Sequence, residues 1–117
     1  MLPDSRFWHV TLTLGGVAHD AASVKAALHR LGVQHAFLHS MRYSAQRAEI
    51  RYWEEAEEML DAAVLALRVW PDHRQSADLP TWQVIGLEIL ERAMFTSRSD
   101  SWTPPVVGVN RPAPVPF

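Results

Sequence analysis

Residues 7–14 alternate, with Trp8, Val10, Leu12 and Leu14 on one face and Phe7, His9, Thr11 and Thr13 on the other. Period two predicts a half-buried strand, and Gly15-Gly16 ends it. Asp20 stands where a helix N-cap belongs, because its carboxylate can accept a free backbone N–H of the first turn. Val24, Ala27, Leu28 and Leu31 follow at helical spacing, and Gly32 is placed as a left-handed C-terminal stop. The pattern therefore predicts an amphipathic helix over 21–31. A second strand is predicted from about His35 to Tyr43, with Phe37, His39, Met41 and Tyr43 on one side. Ser44-Ala-Gln-Arg47 is a polar turn of hairpin length. In the third strand, Ala48, Ile50 and Tyr52 face one way, and Glu49, Arg51 and Trp53 the other.

Charge marks the next element. Glu54, Glu55, Glu57 and Glu58 crowd its start, and Arg68, His73 and Arg74 lie towards its end. Both ends complement the dipole of a helix. Ala56, Leu60, Ala63, Val64 and Leu67 form the predicted buried stripe, and Pro71 predicts a kink or a short second piece. Trp82 to about Leu90 reads as a fourth strand, with Ile85, Leu87 and Ile89 on one face. The order β-α-β-β-α-β over residues 7–92 resembles the α+β ferredoxin-like plait, in which two helices cover one face of a four-stranded antiparallel sheet. Right-handed crossovers then set the strand order as 4-1-3-2. Residues 1–98 read as one ferredoxin-like domain. Residues 99–117, with Pro104, Pro105, Pro112, Pro114 and Pro116, read as an extended Pro-rich C-terminal tail. Its apolar members, Trp102, Val106, Val107, Val109 and Phe117, are expected to dock on the domain or a partner subunit.

Composition narrows the class. The chain has 117 residues, the length of one domain, and 48% of them are hydrophobic. Eleven basic residues against 13 acidic give a net charge of −2, which argues against a strongly basic nucleic-acid binder. Cysteine is absent, which removes disulfides, thiol catalysis and thiolate metal sites. The start of the chain lacks an apolar stretch of signal-peptide length. The longest apolar run is Ala62–Leu67, where a membrane span needs about 20 residues. The expectation is a cytoplasmic protein without membrane contact. Arginine almost without lysine, together with abundant alanine, suggests a GC-rich bacterial source.

A plait leaves one sheet face open. Here that face is expected to carry Phe7, His9, Thr11 and Thr13 from the first strand and Leu38, Ser40 and Arg42 from the second. The third strand adds Glu49, Arg51 and Trp53, and the fourth adds Trp82, Val84, Gly86 and Glu88. A contiguous patch of aromatic and charged groups marks an interface or a groove. Met59, Ala62, Leu65, Ala66 and Val69 spread apolar groups round the central helix, as in a helix buried on more than one side. The open face is expected to be covered by a second copy or by the tail, or else to hold a ligand cavity, and the second side of the helix to meet another subunit or the tail.

His9 is the best candidate for proton transfer, since histidine titrates near neutrality. Glu49 or Glu88 could orient it, and Arg51 or Arg42 could bind an anion. The candidate ligand-binding set is His9, Thr11, Glu49, Arg51, Trp53 and Glu88. A metal site is not expected. His35 and His39, four residues apart on a strand, would lie about 13 Å apart, too far to share an ion with zinc–nitrogen bonds of about 2.0–2.1 Å. No serine motif supports nucleophilic catalysis. RNA-binding plaits stack bases on a basic, Gly-containing aromatic strand; the third strand here reads Arg47-Ala-Glu-Ile-Arg-Tyr-Trp53.

Leu14-Gly-Gly-Val-Ala-His-Asp20 occupies the first strand–helix loop. In this the chain resembles, at fold level, ACT-type regulatory domains, which often bind an amino acid at that place. The resemblance implies a ligand site near the glycines. The sequence thus supports a homodimeric, non-enzymatic module that binds a small molecule or another protein, without a cofactor. The alternative is a small metal-free dimeric enzyme with an acid–base pocket on the open face, similar at fold level to plaits that perform cofactor-free oxygenation or ring chemistry. A pocket of about 300 Å³ or more containing His9 would favour the enzyme.

Overall fold

A computed structural model describes residues 6–35, 38–98 and 113–117, with Leu38, His39 and Arg98 described as backbone alone. Strand β1 (Arg6–Gly15) runs through the middle of the sheet, antiparallel to β3 (Arg47–Ala56) on one side and β4 (Gln83–Glu91) on the other. Strand β2 (Leu38–Tyr43) pairs antiparallel with β3, and β5 (Val115–Pro116) adds a short parallel strand outside β2. The result is a five-stranded mixed sheet of order 4-1-3-2-5. Helices α1 (Ala21–Gln34) and α2 (Met59–His73) cover one face, and α3 (Arg92–Arg98) packs on the other. This α+β arrangement is consistent with the ferredoxin-like plait, extended by α3 and β5.

The core follows the alternation of the strands. Val10, Leu12 and Leu14 of β1, Met41 of β2, and Ala48, Ile50 and Tyr52 of β3 are buried beneath the helices. Asp20 caps α1, accepting from the Ser23 N–H at 3.2 Å. The helix passes through Gly32 rather than stopping there. Gly32 is buried beside Leu31, and that packing offsets the roughly 1 kcal/mol propensity cost of glycine. The stop comes at His35, which is extended and donates its N–H to the Leu31 carbonyl at 2.9 Å. His35 is therefore a helix cap and not the start of β2.

Three further expectations need correction. Glu54–Ala56 extend β3, so α2 begins only at Met59. The buried face of α2 is Ala62, Ala66, Val69 and Trp70, whereas Leu60, Val64 and Leu67 are exposed. Trp70 sets this phase: its indole N–H donates to the Pro80 carbonyl at 2.9 Å and its ring lies parallel to Trp82. Small alanines on the same side let the helix approach the sheet. Pro71 is exposed, and the helix runs through it to His73. The carbonyl it leaves unbonded is that of Leu67, an exposed residue whose backbone can turn to water.

In β4 the register shifts by one: Thr13 lies opposite Gly86, but Leu14 lies opposite Val84. Ile85 is the extra residue of a β-bulge, and the inside and outside of the strand exchange across it. Val84 therefore packs against the helix-side core, and Trp82, just before the strand, is buried there too. Neither belongs to the other sheet face. Phe37, Trp102, Val106, Val107 and Val109 lie outside the described residues.

Candidate functional site

Strand alternation and register assemble the face opposite α1 and α2. His9 of β1 stands opposite Trp53 of β3 and Leu90 of β4. One step along the same face, Thr11 lies between Arg51 and Glu88. A further step places Thr13 between Glu49 and Gly86. All six candidate residues thus share one face, in two distinct zones.

The first zone is aromatic. The α3 helix, which the sequence pattern did not suggest, lays Phe95 over His9 with ring centroids 4.1 Å apart at 28°. Trp53 meets His9 edge-on at 5.0 Å, and Trp53 and Phe95 meet at 5.0 Å and 79°. Offset and edge-to-face rings at these separations attract through their quadrupoles. His9 is only 2% exposed and Trp53 3%. The imidazole is held within a packed trio.

The second zone is a polar strip. Arg51 Nε lies 3.4 Å from Glu49 Oε1, and that oxygen is buried without a well-directed hydrogen bond among the described residues. Arg51 is exposed, Thr11 half-buried and Glu88 exposed. Arg51 is partly neutralised by its own neighbour, which weakens it as an anion clamp. Arg42, opposite Glu49 on β2, turns to the chain's last described residue: its guanidinium lies 5.2 Å from the Phe117 ring, and that of Arg47 lies 5.0 Å away. Such cation–π contacts are worth about 0.5–1 kcal/mol at an exposed site.

A cluster of titratable groups lies on the helix side. The His35 ring meets Tyr52 edge-on at 4.9 Å and His73 at 5.8 Å. His73 Nδ1 is 3.1 Å from Gln34 Oε1, and the Ser76 hydroxyl donates to that oxygen at 2.8 Å. Burial, and secondarily the neighbouring His73, push the His35 pKa down. Burial, with the Glu54 charge second, pushes the Tyr52 hydroxyl well above its ordinary range. Burial likewise raises Glu54, against a backbone hydrogen bond from Glu55 that lowers it. His35 and His73 are too distant in sequence for spacing to have linked them. Among the described residues, no three His, Cys, Asp or Glu side chains are grouped to hold a metal ion.

Two cavities flank the loop after β1. One, of about 480 Å³, is lined by Gly15, Gly16, Ser44, Gln46, Arg47 and Ile85. The other, of about 340 Å³, is lined by His19, Ser23, Arg30, Asp78 and neighbouring apolar groups. Three hydrogen bonds hold the loop between them. Gly16 N–H donates to the Gln46 carbonyl at 3.2 Å, His19 N–H to the Ala45 carbonyl at 2.7 Å, and the Trp82 indole to the Val17 carbonyl at 2.8 Å. His9 lines neither cavity.

The outside of α2 is the remaining feature. Leu60 is 71% exposed, Val64 51% and Leu67 47%. On the edge strand β4, Ile85 and Leu87 are also exposed. No helix among the described residues is long and apolar enough to cross a membrane.

Fold and site together define a small α+β sheet protein with a packed aromatic trio on one face and an apolar helix exterior on the other. The family model described as "Domain of unknown function (DUF8830)" matches residues 7–105, and the chain belongs to that family. No curated protein and no solved structure matches it.

Proposed function

We propose that this protein is a homodimeric, non-enzymatic interaction module of ferredoxin-like fold. The carrying observation is the placement of large apolar side chains on the outside of the subunit, chiefly Leu60, Val64 and Leu67 of α2. Burying apolar surface is worth about 25 cal/mol per Å², so a contiguous stripe of this kind favours association. The burial of His9 beneath Phe95 and Trp53 supports an interaction role over proton transfer. In this reading the C-terminal segment belongs to the same module, and Val115–Phe117 fasten it to β2.

A second role for the same module, small-molecule binding, is supported by the cavity beside Gly15 and Gly16. It lies at the strand–helix loop where the fold-level resemblance to ACT-type domains implies a ligand. The melting temperature separates the two roles. A homodimer's melting temperature rises with protein concentration, because association stabilises only the native state. We expect such a rise over a hundredfold dilution series. A concentration-independent melting temperature would remove the homodimer. At fixed protein concentration, an added amino acid that binds the cavity raises the melting temperature further.

A further inference from the structure

Helix α2 has two apolar faces. The inner one is Ala62, Ala66, Val69 and Trp70, packed on the sheet. The outer one is Leu60, Val64, Leu67 and Pro71, all exposed. Their spacing of i, i+4, i+7 and i+11 makes one stripe down the helix, about 16 Å long at 1.5 Å per residue. Asp61 and Arg68, also exposed, lie seven residues apart, and so on the same flank of that stripe.

We propose that this stripe is the contact with a second copy of the chain, the two α2 helices packing antiparallel about a twofold axis at Val64. The proposal rests on the homodimer reading above and gives that dimer its surface. The charge pattern selects both partner and direction. Leu60 lies four residues before Val64 and Leu67 three after it, so in an antiparallel pair each packs against the other. Asp61 lies three before and Arg68 four after, so Asp61 of each copy faces Arg68 of the other. A parallel pair would instead turn this flank of each copy towards the other flank of its partner, around Ala63, and leave Asp61 and Arg68 without a countercharge across the seam. Within its own helix Arg68 already lies 3.4 Å from Asp72, one turn on, and can bridge both carboxylates. An isologous contact needs a self-complementary surface of this kind. The described ends of the chain lie elsewhere: α3 is on the opposite sheet face, and β5 is at the opposite edge of the sheet from β4.

The natural lack of cysteine makes the test direct. In full-length Val64→Cys, the sole thiol sits on the proposed axis, within reach of its copy across helices packed 8–10 Å apart. Mild oxidation should convert it to a disulfide-linked dimer at micromolar protein, while Lys25→Cys, at an exposed position of α1, stays monomeric on a denaturing gel. In parallel, Val64→Glu sets two like charges together on the axis and should weaken self-association about a hundredfold, as loss of a central contact does. Its circular dichroism should be unchanged, because position 64 is exposed in the subunit. If the natural protein is dimeric but Val64→Glu is equally so and Val64→Cys does not cross-link, the α2 interface is wrong and the homodimer reading survives. If the natural protein is a monomer, both fall together.

Discussion

Trp82 illustrates how single residues tie the loop to the core. Its indole N–H donates to the Val17 carbonyl, and its ring lies parallel to Trp70 at 6.2 Å. Gly16 passes so close that a Cβ there would stand 2.7 Å from the ring. At Gly15 a Cβ would meet the Ile85 Cδ1 at 2.8 Å, but that is the tip of an exposed side chain that can swing away. Gly16→Ala is therefore expected to cost about 1–3 kcal/mol in urea unfolding, as overpacking does, and Gly15→Ala distinctly less. His35 makes a second prediction. Its pKa is lowered in the fold from its ordinary 6.5, so the unfolded chain binds its proton more readily. Its contribution is complete above about pH 6.5 and is lost as pH falls below that towards the folded value. As pH falls below about 6.5, thermal melts of the natural protein should lose stability relative to those of His35→Gln. Glu54 is raised from 4.5, so its contribution is present below that value and lost as pH rises. Glu54→Gln should raise the melting temperature at about pH 7.

At the scale of elements, four strands, the first helix cap and the hairpin were legible because alternation and capping chemistry are local. So was the grouping of His9, Thr11, Glu49, Arg51, Trp53 and Glu88, which needed only strand phase and the antiparallel order. The phase of α2 was not legible. Leucines at 60 and 67 outweigh alanines at 62 and 66 in any hydrophobic stripe, yet the large Trp70 and the small alanines decide which side meets the sheet. The bulge at Ile85 hid for a related reason: its cause is pairing with β1, which no feature within β4 records. The α3 helix is only seven residues long and partly exposed, so its periodicity is faint, and the burial of His9 beneath it could not be foreseen. The observed phase of α2 has a direct check. In a Val64→Glu background, which removes any contribution of the proposed α2 interface, Ala66→Leu should destabilise by about 1–3 kcal/mol. Leu67→Lys in the same background should stay within about 0.5 kcal/mol. Equal effects on chemical denaturation would mean that the inner and outer faces are misassigned.

At the scale of the molecule, the subunit is small and buries a limited fraction of its surface. Its sheet face opposite α1 and α2 is partly closed from within, by α3 and the ring trio. The exterior of α2 carries an apolar stripe, and the net charge is nearly balanced, at −2. The proposed homodimer would cover the α2 stripe of such a subunit. Sedimentation equilibrium of the full chain at about 10 μM is the most direct measurement, since that concentration reads affinities in the micromolar range. The expected result is a species of twice the 13.2 kDa chain mass, returning towards 13.2 kDa in Val64→Glu. A single 13.2 kDa species for the natural protein would contradict the account.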